Sequence, residues 1–314
     1  FQELWLVHLQ QLLLYLLKSK ELKKIYKSFF VFISVGLLAL LMNSPSLLAT
    51  KEYSEFSTRS KSDITINADG SAKESLSGLD KEYITEYSYG VLESLNLIFP
   101  RFMGGGSSER IREDSKLMNF IRSLDANQAQ QVYQYSKVYW GNQPIVAAPA
   151  YIGISLFFIF LLSILLVNDL NRKWILIAIS ISLFLSWGKN FSFLTDLMID
   201  YFPLYDKFRA VSSIQIIIEF CIPLFAVMGL RKFFSNNTKE IQKLNSLKYA
   251  SVFLVSLILV FYFFGTSILD FKSDFEIFSQ YPEILNLLIE ERQYVFKSDV
   301  LRSLIIVVCC SITF

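Results

Sequence analysis

Apolar residues fill long stretches of this sequence, and shorter polar stretches separate them. The apolar stretches cover residues 1–17, 29–48, 146–167, 174–187, 211–230, 249–269 and 304 onward. Because an α-helix rises 1.5 Å per residue, about 20 apolar residues cross the hydrocarbon core of a bilayer. The pattern predicts a mainly α, polytopic helical membrane protein. Since both ends of the sequence fall in apolar stretches, we expect an internal fragment with a truncated first helix.

Lysine and arginine are unevenly distributed among the polar stretches. Residues 18–27, 172–173 and 231–248 are basic, and by the positive-inside rule they face the cytoplasm. The polar stretches that alternate with them then lie outside. The predicted organisation is membrane helices at 1–48, an extracytoplasmic α-rich insert at 49–145, and a membrane helical bundle at 146–314 with an outer loop at 270–302.

The insert carries two helical patterns. Apolar residues recur at helical spacing over residues 83–98, Asp80 suits the N-cap, and Pro100 ends the helix. Three glycines at residues 104–106 then form a flexible turn. We expect a second, more polar helix over residues 109–139.

The polar stretch after residue 187 combines charged with aromatic residues. The apolar run 174–187 is only about 21 Å long as a helix, so we expect the chain after it to stay partly within the membrane. Residues 190–202 have the pattern of an interfacial helix. Lys189 and Arg209 bracket this helix and suit a lipid phosphate. Alternatively, they only anchor helix ends to phospholipid headgroups.

Polar residues share one face of the next apolar stretch. On a helical wheel Gln215 and Glu219 lie together with Ser212 and Pro223, and Arg209 lies just beyond them. A carboxylate inside a membrane is costly, so Glu219 is predicted to face a protein interior or a wet cavity and to have a partner. The alternative is a structural glutamate, satisfied by a neighbouring hydroxyl.

The insert supplies further candidates. Glu93 lies on the first predicted helix and is a weak candidate for a catalytic base, with a solvated helix face as the alternative. Arg101 precedes the glycine turn, and Gln143 lies near the end of the insert. The substrate-binding candidates are therefore Lys189, Arg209, Arg101, Gln143, Gln215 and Glu219.

Composition narrows the chemistry. Hydrophobic residues make up 53% of the chain and the mean hydropathy is +0.41, which argues against a soluble enzyme of ordinary composition. The single histidine, His8, excludes a multi-histidine zinc site within this sequence. The three cysteines lie in apolar runs and predict neither a disulfide framework nor a metal site. We expect no metal ligands here and no nucleic-acid partner.

Four stretches of the sequence resemble a known family. They are KEYSEFSTRSKSDIT (51–65), GLDKEYITEYSYGVLESLNLIFPRFMGG (78–105), YWGNQPIVAAPAYIG (139–153) and LSWGKNFSFLTDLMIDYFPLYDKFRAVSSIQIIIEFCIPL (185–224). In this order they are similar to the YfhO-type bacterial membrane proteins, especially the version in Bacteroidota. Tyr87 departs from the pattern, since a tryptophan is expected there.

The resemblance implies a GT-C glycosyltransferase in the bacterial cytoplasmic (inner) membrane. Such enzymes take a sugar from a polyprenyl-phosphate donor and transfer it, outside the membrane, to a glycan, an envelope polymer or a protein. A divalent metal is compatible with this chemistry. The expected partners are membrane lipids, the lipid-linked donor and the envelope acceptor. The resemblance also implies an acidic catalytic residue in the first outer loop, before this sequence begins, so the catalytic residue is unknown.

Two other functions remain open. Glu219 and Gln215 suit a transporter or flippase of a lipid-linked or small polar substrate. The third hypothesis is a non-catalytic membrane scaffold that presents the insert to partners.

Overall fold

The structure is a computed structural model that describes residues 21–56, 79–168, 170–203 and 205–314. These residues are mainly helical, and none of them forms a β-strand. The chain divides into two compact units, Phe1–Gly78 and Leu79–Phe314. All seven candidate site residues lie in the second unit.

The described part of the first unit is a bent pair of helices. Helix α1 covers Glu21–Met42 and α2 covers Ser44–Glu55, and the chain turns by 63° between them. At the bend the side-chain amide of Asn43 donates to the carbonyl of Ala39 (2.8 Å). Pro45, which has no N–H to continue the ladder, follows. The predicted span 29–48 is therefore bent.

The second unit contains nine α-helices among its described residues. They are α3 (Lys81–Ile84), α4 (Lys116–Ser123), α5 (Ala126–Tyr135), α6 (Ile154–Leu166), α7 (Leu170–Ser186), α8 (Ser192–Tyr201), α9 (Ile216–Phe233), α10 (Glu240–Ile268) and α11 (Pro282–Thr313). Short 3₁₀ helices cover Leu92–Leu97, Gly188–Phe191, Tyr205–Lys207, Val211–Gln215 and Ile277–Gln280.

Two helical segments in the described chain are long and apolar enough to cross a membrane. They are Val211–Phe233, which includes α9, and α10. The number rises to four if each bent pair, α1 with α2 and α7 with α8, counts as one span. The sequence has seven apolar stretches, of which 1–17 lies outside the described residues. Several of the others form helices that are short, bent or partly polar, so fewer candidate spans result.

Helix α6 is the centre of the apolar helices. Its sequence, ISLFFIFLLSILL, is apolar on all sides, as expected for a helix buried on more than one face. Phe158 packs in a core with α10 and α11, and Phe160 packs in another with α7 and α9. The helix has only 13 residues, about 20 Å, because residues 146–153 are not helical. The predicted span 146–167 is thus shorter than expected.

Residues 79–145 pack against residues 270–302 to form a polar layer. Their shared core contains Leu117 and Ile121 of α4, Val132 of α5, and Phe278 with Leu288 from the later segment. The predicted outer loop 270–302 is largely helical, because α11 begins at Pro282. Two segments that the charge pattern assigns to the same side of the membrane are therefore in direct contact.

The prediction of two long helices in the insert is wrong. Residues 83–98 are broken after α3 and resume only as the 3₁₀ helix Leu92–Leu97, although Asp80 does take the N-cap position of α3. Residues 109–139 form two shorter helices instead. Ser115 accepts a hydrogen bond from the N–H of Met118, and Asp125 accepts from two backbone N–H groups, so each residue starts a new helix.

Candidate functional site

Three segments meet around Lys189 and Arg209. They are residues 83–94, 186–190 and 206–212, and we call them the boundary junction. The N–H of Tyr89 donates to the carbonyl of Ser186 (3.0 Å), and the N–H of Ser212 donates to the carbonyl of Tyr87 (3.1 Å). These hydrogen bonds fix residues 83–94 against both ends of the α8 region.

Gly188 makes the sharp turn at this junction. The chain bends by 113° between α7 and the segment Gly188–Tyr201, and Gly188 has a φ of +44°. A Cβ at this position would overlap the hydroxyl of Ser88. That hydroxyl accepts a hydrogen bond from the N–H of Lys189 (3.1 Å). A helix, α8, is present where the sequence predicts one, and its place at a membrane surface stays a prediction.

Arg209 contacts acidic and aromatic side chains from the start of the second unit. Its guanidinium donates to the hydroxyl of Tyr83 (2.7 Å) and forms an ion pair with Glu86 (3.1 Å). The guanidinium carbon also lies 4.6 Å and 4.9 Å from the ring centres of Tyr83 and Tyr87. The side chain remains partly exposed. Arg209 is therefore held in one orientation while some of its N–H groups remain available.

Lys189 lies at the other end of α8. Its side chain is exposed, and no ion pair of its ammonium group is found within the described part of the chain. The neighbouring amide of Asn190 donates to the carbonyl of Tyr89 (2.8 Å), which fixes the backbone on which Lys189 stands. Two cationic side chains thus bracket α8, as the sequence indicates.

The shared helical face predicted for Arg209, Gln215 and Glu219 is wrong. Arg209 precedes the helical region, Ala210 is in the left-handed conformation with a φ of +66°, and residues up to Gln215 form a 3₁₀ helix. The change of helix type rotates the later residues relative to a uniform α-helix. As a result Gln215 is buried, where it donates to Ser186 (3.2 Å), and Glu219 is exposed.

Glu93 is the most fully engaged carboxylate of the candidate set. It is completely buried, which removes the alternative of a solvated helix face. One oxygen accepts hydrogen bonds from the N–H groups of Gly90 and Asn142 (both 3.1 Å). The other accepts from the hydroxyl of Tyr139 (2.6 Å) and the amide of Gln143 (3.3 Å). We call these five residues the Glu93 cluster.

The Glu93 cluster depends on close backbone approach. A Cβ at Gly90 would overlap the side chain of Asn142, and one at Gly141 would lie 2.6 Å from the Glu93 carboxylate. Burial and the nearby Glu93 charge raise the pKa of the Tyr139 hydroxyl, so the hydroxyl stays a donor. With four donors on two oxygens and no exposed surface, Glu93 is placed to hold the chain together rather than to accept a substrate proton.

Arg101 belongs to a separate group of charges. Its guanidinium pairs with Glu109 (2.8 Å), and its backbone N–H donates to Asp299 of α11 (2.9 Å). Burial raises the pKa of the Asp299 carboxyl, while the Arg101 N–H and the nearby Arg302 oppose this shift. Arg101 is not in the Glu93 cluster, so the structure brings Gln143 to Glu93 and leaves Arg101 elsewhere.

Sequence reasoning missed the buried Arg292. Its guanidinium donates to the carbonyls of Lys137 (2.8 Å) and Phe271 (2.8 Å) and pairs with Glu276 (2.7 Å). Burial lowers its pKa, and Glu276 opposes that effect. Its position between Leu288 and Phe296, at spacings of four residues on one helix face, was a signal that it points into the core.

A second missed charge pair joins residues 79–145 to residues 270–302. Arg112 donates two parallel hydrogen bonds to the carboxylate of buried Glu291 (both 3.2 Å), and its guanidinium carbon lies 3.3 Å from the ring centre of Tyr294. Such bidentate pairs are specific as well as strong. Nothing in the sequence pattern joined residues so far apart in the chain.

Comparison with family models, curated proteins and solved structures finds no match to this chain. The site is therefore defined by its geometry alone. Within the described residues no three acidic, histidine or cysteine side chains form a group able to hold a metal ion. What the junction does present is two cations, exposed aromatic side chains on α8, and a rigid support behind them.

Proposed function

We propose that this chain belongs to a polytopic, GT-C-like glycosyltransferase of the bacterial cytoplasmic membrane. In this proposal it binds a polyprenyl-phosphate sugar with Lys189 and Arg209, and the sugar passes to an envelope glycan, polymer or protein. The observation that carries the proposal is the position of these two cations before and after α8, the helix that follows the 113° bend. The resemblance described above supplies the reaction type.

The surface of α8 supports a place at the membrane boundary. Phe193, Leu197 and Tyr201 are exposed, and Phe202 and Phe208 continue the aromatic surface. A short helix with such a surface, nearly perpendicular to an apolar helix, suits the interface between headgroups and acyl chains. A lipid phosphate lies at this depth, which supports a role in phosphate binding for the cations before and after α8.

The packing of the predicted outer segments supports the topology. Residues 79–145 contact both 186–212 and 270–302, and the charge pattern assigns all of these polar segments to the outer side. The basic residues Arg231 and Lys232 instead follow the apolar part of α9 and line a cavity with Val167. This separation fits a protein with an outer polar layer and a basic cytoplasmic end.

Arg209 retains capacity for a phosphate. A guanidinium has five N–H donors, and the contacts with Tyr83 and Glu86 use two of its nitrogen atoms. The two tyrosines orient it, and Glu86 competes with an incoming anion. We therefore expect the phosphate to replace or share the Glu86 contact, while Lys189 supplies a mobile second charge.

Catalysis is assigned outside the residues described above. The Glu93 carboxylate is enclosed, so an acceptor hydroxyl has no route to it in this arrangement. The base is instead the acidic residue that the resemblance implies. A divalent metal is compatible with that residue.

A binding assay tests the proposal without requiring turnover. The protein in lipid nanodiscs is titrated with a short-chain polyprenyl-phosphate hexose, and binding is measured by native mass spectrometry. We expect Arg209→Ala to weaken binding at least tenfold and to abolish sugar transfer in membranes while insertion remains normal. Arg231→Ala is the matched control, because it removes a cation from the opposite end of α9. Equal losses in both variants, or none in Arg209→Ala, would refute the proposal.

Transport is the second candidate, and the exposed Glu219 favours it. This carboxylate lies on a candidate span between exposed Ile216 and Phe220, an apolar surface on which a charge is costly unless a partner or a wet path meets it. If the protein is a proton-coupled transporter, Glu219→Gln abolishes uptake of the transported substrate into vesicles. If the protein is a transferase, the Glu219→Gln variant still transfers sugar from the lipid-linked donor. A scaffold shows neither activity.

A further inference from the structure

An open groove lies in the polar layer between α4, α5 and the start of α11. Its volume is about 390 Å³, within the roughly 300–1,000 Å³ of typical ligand clefts. No charged side chain from the described part of the chain lines it. None of its lining residues belongs to the boundary junction.

Aromatic rings form much of the groove wall. Tyr135 of α5 and Tyr281 at the start of α11 are 45% and 60% exposed, so both rings leave accessible surface in the groove. Phe120 adds a half-buried ring, and Phe278 lies beneath. A tyrosine ring offers an apolar face together with a polar hydroxyl.

Two amides and four aliphatic side chains make up the rest of the lining. The aliphatic side chains are Leu124, Val132, Ile277 and Ile284. Gln128 and Gln131 are both exposed and lie three residues apart on α5, so they share a face of that helix. Each amide provides two N–H donors and a carbonyl with two lone pairs. The groove therefore combines apolar ring faces with neutral groups that both donate and accept hydrogen bonds.

We propose that this groove binds the end of a neutral oligosaccharide. A pyranose ring has an apolar C–H face that packs on an aromatic ring, and its hydroxyls donate and accept as an amide requires. An anionic sugar is disfavoured because the lining offers no cation to compensate for its desolvation. If the groove is taken to be the acceptor site of the transferase, the assignment rests on the proposed function. Glycan binding by the groove is independent of the proposed function.

The groove is supported so that little ordering is needed on binding. Val132 and Phe278 belong to the core shared by residues 79–145 and 270–302. Glu276, which precedes the lining residue Ile277 in the chain, is held by Arg292 (2.7 Å). Asp125 caps α5 at its start. A preformed wall reduces the entropy lost when a ligand binds.

Saturation-transfer NMR on the protein in nanodiscs tests the assignment. The probes are the neutral disaccharides N,N′-diacetylchitobiose, cellobiose and maltose, with digalacturonic acid as the charged contrast. We expect saturation of ring C–H protons in at least one neutral probe. Tyr135→Ala and Tyr281→Ala should weaken binding at least tenfold, and Tyr135→Phe should retain most of it.

Tyr133→Ala is the matched control. Tyr133 lies on the same helix with the same 45% exposure, yet it does not line the groove, so its removal should leave binding unchanged. If Tyr135→Ala fails to fold, Gln131→Ala tests the exposed polar side and should also weaken binding. The assignment is wrong if no neutral probe binds, if digalacturonic acid binds more tightly, or if the control loses as much affinity as the groove variants.

The outcome separates this inference from the proposed function. Transfer of hexose from the lipid donor without disaccharide binding overturns the groove assignment alone. Disaccharide binding without any transfer overturns the transferase alone.

Discussion

Replacing Glu93 with glutamine or alanine tests whether its carboxylate organises the fold or serves catalysis. In the structure both oxygens are occupied, one by the backbone N–H groups of Gly90 and Asn142 and the other by Tyr139 and Gln143. Alanine removes every acceptor at once. Glutamine keeps the shape but turns one acceptor into a donor that faces other donors.

The magnitude follows from the number of buried donors left without an acceptor. Each such donor costs about 1–3 kcal/mol, so four would cost about 4–12 kcal/mol before relaxation and entry of water. Because losses above about 5 kcal/mol are exceptional, we expect Glu93→Ala to lose about 4–5 kcal/mol. For Glu93→Gln we expect about 2–3 kcal/mol, since two donors keep their acceptor and the cost of burying a charge disappears.

Unfolding of the purified protein in mixed micelles, followed by tryptophan fluorescence, measures these losses. Trp140 is buried and follows Tyr139 directly in the chain, so its fluorescence reports on the surroundings of the Glu93 cluster. The control is Glu113→Gln, which makes the same chemical change at an exposed position and should lie within about 0.5 kcal/mol of the parent protein. The reasoning is refuted if Glu93→Gln is as stable as the parent protein but loses sugar transfer, because Glu93 would then act in catalysis.

Two further substitutions test the junction and the polar layer. In thermal melts, Gly188→Ala should destabilise the protein by about 2 kcal/mol or more, because alanine is strained at a φ of +44° and its Cβ overlaps Ser88. The control is Gly36→Ala, which lies in open space within α1 and should be neutral or stabilising. The pKa of the Asp299 carboxyl is raised in the folded protein, so the folded state binds this proton more tightly than the unfolded state does. The contribution of Asp299 to stability therefore falls as the pH rises from its ordinary pKa through the raised one. Melts between pH 4 and 7 should show that fall as a difference between the parent protein and Asp299→Asn, and parallel profiles would contradict it.

Hydropathy was sufficient to predict the helical class and most apolar helices. The runs at 174–187, 211–230 and 249–269 correspond to α7, α9 and α10, although α10 begins nine residues before its run. The interfacial pattern at 190–202 also corresponds to a helix. These predictions hold because a long apolar run in surroundings without water can satisfy all its backbone groups within one helix.

Periodicity failed where tertiary contacts decide the backbone. Residues 83–98 have apolar spacing suited to one helix, but Glu93 needs the N–H of Gly90 as a donor and the chain must also reach Ser186 and Ser212. Burying that carboxylate with four hydrogen bonds outweighs the local helical preference of the segment. No pattern within residues 83–98 reports the position of Tyr139, so the break was not predictable from them.

The candidate site shows the same division between local and tertiary information. Lys189 and Arg209 lie before and after α8 in the chain, an order that follows from the sequence once a helix is predicted at 190–202. The wheel that joined Arg209 to Glu219 failed, because a left-handed residue and a 3₁₀ turn intervene. Arg209 is instead oriented by Tyr83 and Glu86 from a distant part of the chain. The proposed phosphate site therefore depends on residues 83–94 as well as on the helices, and loss of the boundary junction should impair binding of the proposed donor even when both cations remain.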